Sequence, residues 1–144
     1  MRCFQALDMS TVVETPQAKT LTVRLPLGLL GFEKIKSYWL ISNPEEEPFC
    51  WLQVPDEGDL AFLVVPPAAV LPDYAPDLSN DDAAYLGIES PEDAWIYNIV
   101  TIRPDGTSSV NLKGPIVINR HTLIGKQVVL ANSPYPIQYP LGAA

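Results

Sequence analysis

The chain has 144 residues, 47% of them hydrophobic and 18% charged, which is the composition of one globular domain and not of a disordered segment. Fifteen prolines leave no proline-free window longer than 18 residues, at 116–133, so long helices, coiled coils and helical bundles are excluded. The net charge of −8 is unevenly spread: residues 37–102 carry thirteen acids and no Lys, Arg or His. Direct nucleic-acid binding needs Lys and Arg against phosphates, so this middle stretch argues against it; read from charge alone it is a solvated surface that aids solubility, or a face that attracts a basic partner.

The start, MRCFQALDMS, lacks the apolar core of a secretory signal. The apolar run 60–72 is 13 residues long and holds Pro66 and Pro67, too short and too broken to span a membrane of ~20 helical residues. Cys3 and Cys50 do not have CxxC spacing, which points to a reduced, cytoplasmic chain without a zinc or redox motif.

Residues 20–25 (TLTVRL) alternate polar and apolar, which predicts a half-buried strand with Leu21, Val23 and Leu25 inward. Pro26 ends it, and Gly28 and Gly31 mark a bend. Strands follow at 37–42 (SYWLIS), 49–54 (FCWLQV) and 60–65 (LAFLVV), the last two joined as a hairpin by a glycine-bearing loop. The last run is apolar on both faces and belongs in a central position. Pro66-Pro67 blocks further pairing, and the stretch to Asp77 is irregular.

A short helix is predicted at 80–86, with Ser79 as its cap, Asp82 three residues on and Gly87 to end it. Ser90-Pro91-Glu92-Asp93 repeats the start signal in a shorter turn. Residues 95–102 form a strand, Pro104-Asp105-Gly106 turns, and 107–112 pair back antiparallel. Residues 115–119 are another strand. Gly125 predicts a turn at 123–126, before a final strand at 127–131 and an extended tail. Seven to nine short strands with one or two short helices define an all-β, mainly antiparallel class: a small barrel-like single domain over 1–144.

Chemistry is sparse. A Ser–His–Asp or Cys–His arrangement would have to use the single histidine, His121. One His and two unspaced Cys do not make a tetrahedral zinc site, and Asp56-Glu57-Gly58-Asp59 lacks calcium-loop spacing. No catalytic residue, metal or cofactor is expected. The three tryptophans lie in strand patterns and read as core.

Taken in order, several segments resemble the FliW family of flagellar assembly factors. They are Leu25-Pro26-Leu27-Gly28-Leu29-Leu30-Gly31-Phe32-Glu33, Pro48-Phe49-Cys50-Trp51-Leu52-Gln53, Asp59-Leu60-Ala61-Phe62, Gly114-Pro115-Ile116-Val117-Ile118-Asn119 and Tyr139-Pro140-Leu141. The likeness runs over about residues 20–141, departs at Leu30 and Val54, and leaves residues 1–10 as an N-terminal extension. It implies a cytoplasmic, non-enzymatic β-barrel protein that binds the RNA-binding translational regulator CsrA and also flagellin, so that flagellin level is coupled to its translation. Neither nucleic acid nor membrane is a direct partner in this reading. The alternatives are an export chaperone for flagellin alone and a barrel that carries a small ligand.

Under the same reading, the candidate contact residues are Asp73 and Tyr74, in a loop stiffened by proline, with Asp81, Asp82, Glu92 and Asp93 as steering charges; the alternative for Tyr74 is a ring that plugs the barrel end. Gln53, Asn98 and Asn119 are polar residues in apolar strands, and are expected to satisfy buried backbone groups.

Overall fold

The computed structural model describes residues 18–55 and 60–141. Nine strands appear in chain order: β1 Lys19–Arg24, β2 Ser37–Ser42, β3 Cys50–Gln53, β4 Ala61–Val65, β5 Ala94–Ile102, β6 Ser108–Val110, β7 Ile116–Asn119, β8 Ile124–Gln127 and β9 Tyr139–Pro140. One helix, α1 (Asn80–Leu86), and three 3-10 turns (Pro44–Glu46, Pro67–Ala69, Pro91–Asp93) complete the described part. The expected N-terminal extension at 1–10, Cys3, and the hairpin tip at 56–59 lie outside the described residues.

Seven strands close a mixed barrel in the order β5-β4-β3-β2-β1-β8-β7, with β7 returning to β5. All neighbours are antiparallel except β1 and β8, which meet in parallel at Arg24 and Ile124. Closure turns on β5, which changes partners along its nine residues. Ala94–Tyr97 pair with β7, Asn98 and Ile99 with β4, and Val100–Ile102 with β6. The last part leaves the barrel wall as a flap, β5-β6-β9. A closed barrel has no free edge, which removes the usual liability of an exposed strand ladder.

The barrel interior is a filled core. Val23, Leu25, Leu29, Tyr38, Leu40, Leu52, Val64, Ile116 and Ile118 are all buried, and Trp95 and Tyr97 pack on them. Burial pushes the Tyr97 phenol up to about 12 and the Cys50 thiol above its ordinary value, and the two side chains share a hydrogen bond. Two further apolar clusters lie on the outside of the wall. One joins Val65, Val100, Val110 and Leu112 to Leu71, Tyr74, Tyr135 and Tyr139. The other joins Leu86, Val117, Val128 and Leu130 to Leu78, Ile88 and Ile96.

The sequence periodicity describes much of this arrangement. Val23 and Leu25 are fully buried, but Leu21 at the open end of β1 is 38% exposed. Gly28 adopts φ +70°, and a Cβ there would stand 2.5 Å from the Glu33 backbone, so the bend after β1 needs glycine. The tryptophans divide. Trp95 packs on the inner core, whereas Trp39 faces outward and is 37% exposed.

One boundary differs from expectation. The turn is at 120–123, and β8 occupies 124–127, where Gly125 suggested a bend. Asn119 closes the turn itself: its side-chain oxygen accepts from the His121 and Thr122 amides, its carbonyl accepts from Leu123 N, and Leu123 takes φ +62°. Gly125 is in the strand because Ile118, Leu25 and the Val117 carbonyl crowd it. An added Cβ would lie 2.9 Å from each. Where the sequence predicts a final strand over 127–131, the chain past Gln127 continues without strand pairing through two backbone bonds, Val128 N to Pro115 O and Leu130 N to Lys113 O.

Candidate interaction site

The segment between β4 and β5 crosses the outside of the barrel and carries seven of the acids. Its helix starts where the sequence places it: Ser79 Oγ accepts from the Asp82 amide at 3.0 Å. Gly87 in the left-handed region ends it, its amide bonding back to Ala83 and Ala84 carbonyls. Both ends are tied to the barrel. Asn119 on β7 donates to the Leu86 and Gly87 carbonyls at 2.8 and 3.3 Å, filling acceptors that a helix end leaves open. Lys126 on β8 pairs with Asp82 and sits 5.7 Å over the Tyr85 ring.

The next turn is held by Asp93. Its carboxylate accepts from the Glu89 and Ser90 amides, each at 3.1 Å, and meets His121 Nε2 at 3.1 Å. The Glu89 amide, then the His121 ring, hold its pKa below the usual carboxylate value. His121 itself is exposed, and among the described residues no Ser, Thr or Cys side chain is hydrogen-bonded to its ring.

Between α1, this turn and the barrel wall lies an apolar groove of about 340 Å³. Leu78, Ala83 and Ile88 form its rim side, and Ile96, Val117 and Leu130 its floor. Polar lining comes from Glu89 and Ser90. Asp77, Asp81, Glu89 and Glu92 stand on the same segment, all exposed and, among the described residues, without an ion-pair partner.

The residues read from the sequence as contacts thus take different positions. Asp81 and Glu92 are exposed, as is Asp73. Asp82 and Asp93 are engaged by Lys126 and His121. Tyr74 turns into its own fold. Its hydroxyl donates to the Leu112 carbonyl at 2.7 Å, receives the Asn98 amide at 3.4 Å, and its ring lies 4.5 Å from that of Tyr135. Asn98 also donates to the Asn111 carbonyl at 2.8 Å, so it and Asn119 serve backbone groups as expected. Gln53 is half-buried in β3.

Sequence reasoning did not single out Asp77 or Glu89, though both lie in the same cation-free stretch. It also missed the groove, whose floor is drawn from β5, β7 and residues 128–130.

Among the described residues no group of three His, Cys, Asp or Glu side chains is placed to hold a metal ion. No helix among them is long and apolar enough to cross a membrane. Fold and site define a class: a small mixed β-barrel with one external helix, an acidic face and an apolar groove. The family model for FliW protein matches residues 8–141. A flagellar assembly factor FliW from Exiguobacterium is 41% identical over 140 residues, spanning 96% of this chain and 94% of that one. That from Syntrophus aciditrophicus is 41% identical over 115 residues, spanning 79% and 73%. A crystal structure of the flagellar assembly factor FliW superposes with a TM-score of 0.77 at 34% identity, covering 85% of this chain and 86% of that one. The chain belongs to the FliW family of flagellar assembly factors.

Proposed function

We propose that this protein works in flagellar assembly by binding other proteins: it antagonises a CsrA-type RNA-binding translational regulator, also binds flagellin, and so couples flagellin level to flagellin translation. It acts in the cytoplasm and without catalysis. The observation that carries the reading is the acidic segment laid across the barrel wall, in which Asp77, Asp81, Glu89 and Glu92 have no internal partner among the described residues. Unpaired carboxylates on one face attract a basic protein and speed its encounter. An RNA-binding regulator carries Lys and Arg for phosphates, and a negative partner beside that surface raises the free energy of RNA approach. Such charges act over about a Debye length, ~8 Å at physiological salt.

The test is calorimetric titration with the purified CsrA-type regulator at low and physiological salt, followed by the same titration with flagellin. Saturable binding of the regulator that weakens as salt rises is expected. The triple variant Asp81→Asn, Glu89→Gln, Glu92→Gln should bind less tightly and lose most of the salt dependence. Flagellin binding without regulator binding, using a regulator preparation that binds RNA, would sink the antagonist reading in favour of a flagellin-only chaperone.

A further inference from the structure

We infer that the groove beside α1 is a docking site for a short apolar stretch of a partner protein flanked by Lys or Arg side chains. The inference rests on reading the acidic segment as a docking surface, but not on which protein docks there.

The shape comes first. At about 340 Å³ the groove is at the small end of ligand pockets, which run ~300–1,000 Å³. It has room for a few apolar side chains rather than for a large cofactor. Its walls are preformed. Pro76, Pro91 and Pro115 line it, and Asn119 and Lys126 fasten the helix that makes one side. A site already ordered loses less entropy when it is filled. Its floor residues Val117 and Leu130 are buried members of the outer core, so the groove is a gap in a packed layer and not a loose loop.

Charge then decides the occupant. Glu89 lines the groove, Asp77 is next to the lining residues Pro76 and Leu78, Glu92 is next to Pro91, and Asp81 is two residues from Ala83. Of the basic groups beside this segment, Lys126 is engaged by Asp82 and His121 by Asp93, which leaves exposed Arg120, whose amide bonds to the Asp93 carbonyl, against the four unpaired acids. An anionic lipid surface or a nucleic acid would meet net repulsion here. An apolar segment carrying cations at its ends fills the floor and neutralises the rim together.

Three synthetic peptides of equal length test this by fluorescence anisotropy: a Leu/Ile core with Lys flanks, the same core with Glu flanks, and a Ser core with Lys flanks. Only the first should bind saturably, one to one, and more weakly as salt rises. Ala83→Phe, which fills the mouth of the groove, should abolish binding. Glu89→Lys, an exposed change that spares the packing, should weaken it at least about threefold at low salt. Trp39→Thr on the far side of the barrel should leave it unchanged. Equal binding of the Ser-core or Glu-flanked peptide, loss of binding in Trp39→Thr, or no binding by any peptide overturns the proposal. So does a concentration-dependent dimer that Ala83→Phe dissolves, because the occupant would then be a second copy. Peptide binding by a protein that ignores the CsrA-type regulator leaves the groove assignment standing and sinks only the antagonist reading. Regulator binding that Ala83→Phe leaves intact, with no peptide bound, does the reverse.

Discussion

The outer face of the barrel wall is covered over β7 and stays open over β2, and the contrast explains how this small fold acquires a surface for partners. On β7, all four residues are buried: Ile116 and Ile118 point inward, while Val117 and Asn119 point outward beneath α1 and its flanking loop. On β2 the strand alternates. Tyr38 and Leu40 are buried, but Trp39 is 37% exposed. The pairing Ile41↔Trp51 continues that outer face, and these side chains belong to none of the three apolar clusters of the described residues.

Closure of a barrel determines only its inner face. The outer face is determined by what the chain lays across it. Here the cover is also the acidic segment, so one stretch of sequence buries Val117, Val128 and Leu130 and carries the charge. The cover is incomplete, and the gap is the groove. The open face has aromatic area but no comparable charge, because Thr20, Thr22 and Gln53 are its outward neighbours.

The comparison can be broken most directly at Leu86, the buried anchor of α1, 3% exposed. Leu86→Ala should cost about 2–4 kcal/mol in urea unfolding, through lost burial plus the cavity left behind. A cost below about 1 kcal/mol would mean that the helix only rests on the barrel.

Asn119→Ala should come next, at about 1–3 kcal/mol, because it strips hydrogen bonds from the Leu86 carbonyl and from the 120–123 turn at once. Hydrogen exchange sharpens the point. Amides of Ala83, Gly87 and Ile88 should lose protection, while those of β2 and β3 keep theirs.

The smallest change belongs to the open face. Trp39→Thr should cost about 1 kcal/mol or less, since the ring is partly solvated already and threonine suits a strand. Acrylamide should quench Trp39 fluorescence well before that of Trp95, read from the single-tryptophan variants. A stability loss matching that of Leu86→Ala would show that this face is packed after all.

Local signals account for the parts of the molecule that local physics controls. The Ser79 cap and the Gly87 stop bracket α1 because both act within one turn of the helix. Strands β2, β3, β4 and β7 fall within a residue or two of their apolar runs. Gly125 shows where that reading fails. A glycine can mark a turn or a close approach, and only the packing of Leu25 and Ile118, from far apart in the chain, says which. The tryptophans fail likewise. A strand period shows that neighbouring side chains face opposite ways, but not whether the outward face is covered.

The acidic map of 37–102 was plain from composition, as were the β class and the shortage of catalytic groups. Which acids remain unpaired was not. Asp82 meets Lys126 across 44 residues, Asp93 meets His121 across 28, and Asp77 and Glu89 are left free of ion pairs among the described residues. The sequence by itself therefore determined the strands, the capped helix and the charge it carries, because period, capping and composition are local. Tertiary structure alone decided the barrel's closure, the covered face and the groove, because each depends on strands distant in the chain meeting through the split partnership of β5 and the parallel contact of β1 with β8.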